Sequence, residues 1–336
     1  MRRAGVLKNE NGHGGYMHFQ KKIGDFFRGL PVIYLSLMLL FFIVLFFTVG
    51  HRSFLSPYNL KTIGNMTAIL LTIGLGQLFV LLTGGIDLSV GGIVSLISIV
   101  YILSLAQFGF FGIIITLVVA LCTGLLNGII FTRLRIPSFI STLGTGGIFG
   151  SIAYLLHAAP LAAPSETYKY LDFINGSIGK INNSWIIALV VYLIYFVIQK
   201  YTYLGRTVYA VGSNEKMSWM SGINVKRTKL FAFVLSGMGA GICGIILASN
   251  LYSGSAVFGE LYVLESIAVV VVGGTALTGG AGGVFNTLVG ALIMSIIKNG
   301  MTVVGIDIYA QQTFLGILII LAVAVTFDRS KVIIVK

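Results

Sequence analysis

The sequence predicts an all-α polytopic membrane protein, and three observations support this class. Of its 336 residues, 57% are apolar and only 10% are charged, whereas a soluble domain has roughly 25% charged residues. The mean hydropathy is +0.98, and the apolar residues are concentrated in long runs. This composition excludes a soluble enzyme, a disordered chain, a disulfide scaffold and a collagen.

Ten apolar segments are predicted to be transmembrane helices, because a helix needs about 20 apolar residues to cross the hydrocarbon. They run approximately over 31–49, 63–82, 91–106, 111–132, 138–158, 185–199, 230–249, 263–273, 284–297 and 309–326. The eighth and ninth are short and border glycine-rich stretches, as broken transporter helices do. The first has no small-residue cleavage site after it, so an uncleaved span is expected rather than a signal peptide.

The basic residues predict the orientation, since Lys and Arg accumulate on the cytoplasmic side. With the N-terminus inside and ten alternating spans, 17 of the 22 basic residues fall inside. The other five are Arg52, Lys61, Lys169, Lys180 and Lys298. Both termini are therefore expected in the cytoplasm. This placement also explains the net charge of +12 without a nucleic-acid partner.

The predicted domain organisation has three parts. A basic cytoplasmic tail at 1–30 precedes a transmembrane domain at 31–328, and a short cytoplasmic tail follows at 329–336. The domain has an external loop at 159–184, which is expected to form a short surface helix. It also has a cytoplasmic loop at 200–229 with six basic residues and one acid, Glu215.

The sequence contains no recognisable catalytic or metal-binding pattern. It lacks the G-x-x-x-x-G-K-[ST] loop, H-E-x-x-H and C-x-x-C, so no nucleotide, metal or other cofactor is expected on this chain. Cys122 and Cys243 lie in apolar runs and are interpreted as packed, reduced core residues. Ion-coupled pumps need intramembrane acids, and here only Asp87 and Glu265 lie in or at the edge of spans, apart from Asp328. Energy for transport is therefore expected from another protein.

A glycine-rich motif separates the second and third spans. Residues 83–92 read TGGIDLSVGG, and the glycines allow the backbone to break and re-enter a helix. Asp87 and Ser89 are placed to cap the following helix. The alternatives are a cap with close packing or part of a gate. A related segment, GGTALTGG, occurs at 273–280, so the pattern recurs 189 positions after Gly84.

The cytoplasmic loop is predicted to contain a helix of about two turns. Residues 212–224 read GSNEKMSWMSGIN, with Ser213 as a good N-cap and Gly222 as a good C-terminal stop. Met217, Trp219 and Met220 between them would form an exposed apolar edge. Such an edge suits insertion into a groove of a partner; the alternative is a solvated or membrane-surface turn.

Three segments resemble the ribose-type, simple-sugar ABC transporter permeases, which share a superfamily with the branched-chain amino acid permeases. They read TGGIDLSVG at 83–91, GRTVYAVGSNEKMSWMSGINV at 205–225 and VVVVGGTALTGGAGG at 269–283. The resemblance covers most of 60–328, although Ala281 stands where family members often have a basic residue. It implies a multi-pass protein of the bacterial inner membrane with about ten helices.

The resemblance also implies partners. These are a second permease chain, identical or paralogous, membrane lipid, an extracytoplasmic sugar-binding protein, and cytoplasmic ATPases that bind ATP and Mg²⁺. It implies that 213–224 is the coupling helix that docks on the ATPase. The candidate coupling residues are Ser213, Asn214, Glu215, Lys216, Met217, Trp219, Met220, Gly222, Ile223 and Asn224.

The pathway would lie between the two permease chains and would need only weak hydrogen bonds to sugar hydroxyls. The candidate gate and pathway residues are Asn65, Gln77, Gly84, Gly85, Asp87, Ser89, Asn127, Ser141, Thr142, Gly273, Gly274 and Thr278. Polar residues in spans also commonly bond neighbouring helices. Rival hypotheses are a branched-chain amino acid permease, a stand-alone secondary carrier and, third, a membrane enzyme. Ribose, another pentose, galactose and autoinducer-2 all remain open as substrates.

Overall fold

The fold is an assembly of α-helices, described here from a computed structural model that covers residues 32–51, 53–179 and 181–326. The helices are α1 (Val32–Gly50), α2 (Pro57–Leu82), α3 (Val90–Phe108), α4 (Phe111–Leu134), α5 (Ser138–Leu156), α6 (Tyr168–Asn175), α7 (Asn183–Tyr201), α8 (Tyr203–Ser213), α9 (Glu215–Met220), α10 (Val225–Leu251), α11 (Tyr262–Val272), α12 (Val284–Val303) and α13 (Ile308–Thr326). Short strands are β1 (Leu161–Ala162), β2 (Ser177–Ile178), β3 (Ile181–Asn182) and β4 (Ser253–Gly254).

A helix lies at each of the ten predicted spans. In the part of the chain that the structure describes, eight helices are long and apolar enough to cross a membrane, which confirms a polytopic α-helical membrane protein. The eighth predicted span corresponds to α11, which has only 11 residues. The number of crossings and the side of the termini stay predictions. The predicted tails at 1–30 and 329–336 lie outside the described residues.

The centre of the fold is formed by α2 and α10. The side chains of α2 from Thr67 to Leu82 are buried, and α10 packs against α4, α2 and α3. The approach of α10 to α4 is very close, because a Cβ on Gly237 would lie 2.7 Å from the Cα of Gly124. Small residues permit such contacts between membrane helices. These two central helices therefore hold the elements on which the glycine motifs are mounted.

The two cysteines occupy different environments. Cys243 is buried in α10, as predicted, whereas Cys122 is exposed. The prediction of a packed core position for Cys122 is therefore wrong. Cys122 belongs to a face of α4 that also exposes apolar residues such as Val118, Leu121 and Leu126. That face points out of the chain, so an apolar run alone did not distinguish core from surface.

The external loop contains the predicted short helix, which is α6. Leu171 and Ile174 of this helix are buried, and α6 packs against α10 and α7. Strand β1 pairs antiparallel with β4, with Leu161 opposite Gly254. Two segments predicted on the outer side thus meet each other, which agrees with the alternation of the spans.

Candidate functional site

The first glycine motif forms a break between α2 and α3. The chain turns after Leu82 through Gly84, whose φ is +77°. This backbone conformation favours glycine. Residues 85–88 then run without regular structure beside α5. The N–H of Ile86 donates to the Ser138 hydroxyl at 3.0 Å, and the N–H of Leu88 donates to the Thr142 hydroxyl at 2.9 Å. The third span therefore begins with an irregular segment and becomes helical only at Val90.

Five polar residues from four elements meet at this break and form what we call the Asp87 cluster: Gln77, Asp87, Ser89, Asn127 and Ser236. The Asp87 carboxylate accepts hydrogen bonds from the N–H and hydroxyl of Ser89, at 2.9 and 2.5 Å, and from the Ser236 hydroxyl at 2.7 Å. The Asn127 amide donates to the Ser89 hydroxyl at 2.7 Å. With the Gln77 amide oriented to suit its neighbours, its oxygen accepts from the N–H of Asp87 at 3.3 Å and its nitrogen donates to the C=O of Asp87 at 3.1 Å. The cluster thus ties the break to α2, α4 and α10.

The predicted capping of α3 is only partly found. Ser89 stands at the N-cap position but its side chain makes no capping bond, so its predicted role is wrong. The reason is that its hydroxyl is engaged by Asp87 and Asn127. The Asp87 carboxylate reaches the N–H of Ser89, just before the first helical residue. Asp87 therefore shapes the entry to α3 and does not reach the N–H groups of its first turn.

The helix lengths predict the depth of the Asp87 cluster in the membrane. Ser236 is eleven residues beyond the start of α10 at Val225, a rise of about 16 Å. Asn127 is seven residues before the end of α4 at Leu134, a rise of about 10 Å. Both distances run from ends predicted to be cytoplasmic, and the hydrocarbon is about 30 Å thick. The polar break is therefore predicted to lie deep inside the bilayer.

A second break follows α10, and sequence reasoning missed it. After β4, which pairs with β1 of the predicted external loop, the chain turns back and runs irregularly along α3. The N–H groups of Ser255 and Gly259 donate to the hydroxyls of Ser98, at 3.1 Å, and Ser95, at 2.9 Å. Gly259 reaches Gly91, beside the Asp87 cluster. The segment 252–261 therefore descends to the level of that cluster, and α11 forms only the inner half of the eighth span. The ten-span prediction left 250–262 between two spans, and the structure packs most of this segment along α3.

A pair of charged residues lies close to this second break. The Lys298 ammonium contacts the Glu265 carboxylate at 2.6 Å, and the Glu265 side chain is buried. The helices α11 and α12 lie side by side, because Gly290 of α12 packs against the carbonyl of Val269 in α11. This packing places Lys298 of α12 next to the start of α11. The count of outer basic residues placed Lys298 in a loop, whereas it lies within α12 and neutralises an acid.

The two glycine motifs meet at the inner ends of their helices. The N–H of Gly280 donates to the C=O of Leu82 at 3.0 Å, and a Cβ on Gly84 would lie 3.3 Å from the C=O of Thr278. The end of α8 packs into the same junction, because a Cβ on Gly212 would lie 1.8 Å from the oxygen of Leu82. We call these contacts among 82–84, 278–280 and 212–213 the inner junction. The sequence repeat did not predict that its two copies are neighbours.

The predicted cytoplasmic helix is present as α9, with a different N-cap. Its N-cap is Asn214, whose side chain accepts from the N–H of Met217 at 3.0 Å. Ser213 is instead the last residue of α8, so the prediction that Ser213 is the N-cap is wrong. Ser213 and Asn214 are both good N-cap residues. Because α8 continues through Ser213, Asn214 becomes the N-cap. The C-terminal stop at Gly222 is as predicted, with φ of +82° and a Schellman bond from the N–H of Ile223 to the C=O of Ser218 at 3.0 Å.

The outer edge of α9 is apolar and exposed. Met217, Trp219 and Met220 are 59%, 69% and 66% exposed. Glu215 pairs with Lys229 of α10 at 2.7 Å, which anchors the base of the helix. Lys216 is exposed too, and Asn224 caps α10 by accepting from the N–H of Arg227 at 3.0 Å. The helix is thus tied to α10 and presents exposed apolar side chains, a feature that suits a docking element.

The remaining pathway candidates are dispersed. Asn65 lies on the predicted outer side, where it accepts from the Asn182 amide. The hydroxyls of Ser141 and Thr142 donate to the C=O of Ser138, at 2.9 and 2.8 Å. Gly273 packs on Asn286 of α12, and Gly274 after it has a φ of +101°. Gly85 is buried, whereas Thr278 is exposed. The structure therefore joins Gln77, Asp87, Ser89 and Asn127 in one cluster. It also places Thr142 beside that cluster, against Leu88, and brings Gly84 and Thr278 together at the inner junction.

Comparison with known proteins gives a family match and several relatives. The family described as branched-chain amino acid transport system, permease component, matches residues 59–323. The ribose import permease of Bacillus subtilis is 35% identical over 296 residues, which is 87% of this chain and 91% of that protein. The D-allose transport system permease of Escherichia coli is 32% identical over 93% of this chain and 94% of its own length. The fructose import permease of Rhizobium meliloti is 30% identical over 91% and 88%.

No solved structure matches the chain significantly. The family match covers most of the chain and includes both breaks, the inner junction and α9. The chain therefore belongs to the branched-chain amino acid transport system/permease component family, and it is a multi-pass membrane protein of the bacterial inner membrane.

Proposed function

We propose that this chain is the transmembrane permease subunit of an ATP-binding cassette importer for a simple sugar. The observation that carries the proposal is the agreement of near-full-length relatives that are named as ribose, D-allose and fructose permeases. The motif GGIDLSVG at 84–91 supports the sugar branch, which it resembles. Candidate substrates are ribose, another pentose, galactose, autoinducer-2, allose and fructose.

The chain is proposed to form the translocation pathway together with a second permease chain, identical or paralogous. A soluble binding protein would deliver the sugar from outside. Gln77, Asp87, Ser89 and Asn127 bond one another within the chain, which supports a role in holding the broken third span in place. These residues would thus shape the pathway and would not contact the sugar.

Coupling to a separate ATPase is proposed to run through α9. Its exposed Trp219 and Met220 would enter a groove of the ATPase, and movement there would pass along the chain to Gly212. Gly212 packs on the carbonyl of Leu82, and Leu82 bonds Gly280. A displacement of α9 would therefore reach both glycine motifs at the inner junction together. ATP and Mg²⁺ would bind the partner, and this chain would hydrolyse nothing.

A second candidate is a branched-chain amino acid permease, which the family description itself favours. Uptake by cells that carry this chain and its partners, compared with cells lacking this chain, separates the two. We expect cells that lack this chain to lose the uptake of one sugar and to take up leucine normally. Loss of leucine uptake with normal uptake of every sugar would establish the second candidate instead.

A further inference from the structure

We propose that the surface formed by Val257, Glu260, Leu261 and Leu264 lines the aqueous pathway near the middle of the membrane, with Glu260 accepting hydrogen bonds from hydroxyls of the transported sugar. The identity of the solute rests on the proposed function. The location of the surface does not, because it follows from the second break alone.

The first observation is irregular backbone at the depth predicted for the Asp87 cluster. Residues 252–261 lie beside α3, and Gly259 is in contact with Gly91, next to the Asp87 cluster. Non-helical backbone at this depth is tolerated only where protein buries it or where it borders a water-filled cavity. One side of the segment is buried by α3, including Gly254 and Ser255. The other side must therefore face water or a second protein chain.

The second observation is an exposed carboxylate on that other side. Glu260 is exposed, and among the described residues its carboxylate has no ion pair and no hydrogen bond. Glu265, five residues further along, is by contrast buried and paired with Lys298. An unpaired charge facing lipid near the bilayer centre is strongly disfavoured, and such residues face a cavity or a bundle interior. Glu260 therefore marks the aqueous side of the chain.

The surroundings of Glu260 suit a neutral, hydroxyl-rich solute. A carboxylate offers two acceptor oxygens, and hydrogen bonds to a charged acceptor are strong. The neighbours on the same surface, Val257, Leu261 and Leu264, are 45%, 49% and 58% exposed and carry no polar side-chain atoms. They can contact the C–H groups of a sugar but cannot hold its hydroxyls. A single polar contact gives orientation while leaving the solute free to depart, as passage requires.

Cysteine reactivity tests the location of this surface. Glu260→Cys and Phe42→Cys are made in a Cys122→Ala background and expressed with the partner ATPase and binding protein. Phe42 is the control, since it is 55% exposed and lies near the middle of α1. A water-soluble methanethiosulfonate reagent requires a thiolate and hence water. We expect the Glu260→Cys variant to react at least about tenfold faster and to be slowed by the transported sugar. Equal rates for the two variants would overturn the proposal.

Uptake by Glu260 variants tests the contact with the sugar. We expect Glu260→Leu to lower uptake at least about tenfold, because it removes both acceptors, and Glu260→Gln to retain more. Glu166→Gln, an exposed external acid, is the control and should transport normally. Full uptake by Glu260→Leu would refute the contact. If the solute is not a sugar, cysteine reactivity still separates the two positions but no sugar slows it, so failure of the proposed function is seen separately.

Discussion

Gly259 lies directly against Gly91, so that a Cβ on Gly259 would stand 1.8 Å from the carbonyl oxygen of Gly91. The contact joins the two broken spans at the point where each changes between irregular backbone and helix. Gly91 is in the first turn of α3, and Gly259 precedes α11 by three residues. The two spans are therefore in direct backbone contact where each is broken.

This contact predicts that Gly259→Ala destabilises the protein. The added methyl group would displace backbone, and overpacking of this kind costs about 1–3 kcal/mol. We expect a lower thermal unfolding midpoint in detergent and reduced uptake. Gly150→Ala is the matched control, because a Cβ at Gly150 meets nothing within 4 Å. Equal midpoints for the two variants would show that the spans do not meet as described.

Asp87 is predicted to tolerate Asn far better than Ala. An Asn oxygen can keep the bonds from Ser89, and its amide can donate to the Ser236 hydroxyl in place of the present bond. Ala would leave the buried donors of Ser89 and Ser236 unsatisfied, at about 1–3 kcal/mol each. Uptake and membrane abundance of both variants check this. Complete loss of uptake in a well-expressed Asp87→Asn variant would show that the charge itself is required.

The helices were predictable because apolar length sets a membrane span whatever the partners are. The second break was not, because Gly259 and Glu260 interrupt the apolar run and are typical of a loop. The close packing of Gly259 on Gly91 and the hydrogen bonds to Ser95 and Ser98 show that this segment packs along α3. Similarly, Ser89 has the side chain of a good cap, but contacts from Asp87 and Asn127 occupy its hydroxyl. Both differences arise from tertiary contacts that local pattern does not contain.

Trp219→Ala and Met220→Ala are predicted to weaken binding of the ATPase without destabilising the permease. Both side chains are largely exposed, and exposed substitutions usually change stability by less than about 0.5 kcal/mol. A central aromatic anchor at an interface contributes about 2 kcal/mol or more. Co-purification with the ATPase measures this, with the exposed outer residue Tyr58→Ala as control. If the ATPase co-purifies normally with a variant that carries both substitutions, α9 is not part of the docking surface.

The orientation of the chain predicts opposite labelling of two exposed lysine positions. Lys169 lies in the predicted external loop and Lys216 in α9, on the predicted cytoplasmic side. With Cys122→Ala as background, an impermeant thiol reagent applied to intact cells should label Lys169→Cys and spare Lys216→Cys. Permeabilised cells provide the control, because both positions should then react. Labelling of Lys216→Cys in intact cells would reject the proposed alternation of spans.

Transport by the reconstituted complex tests the central claim most directly. The permease is placed in vesicles with its ATPase and binding protein, and accumulation of labelled ribose, allose, fructose, galactose and leucine is measured with and without ATP. We expect one sugar to accumulate only with ATP, Mg²⁺ and the ATPase present, and leucine not to accumulate. Accumulation of a sugar by the permease alone under an ion gradient, or ATP-driven accumulation of leucine, would contradict the account.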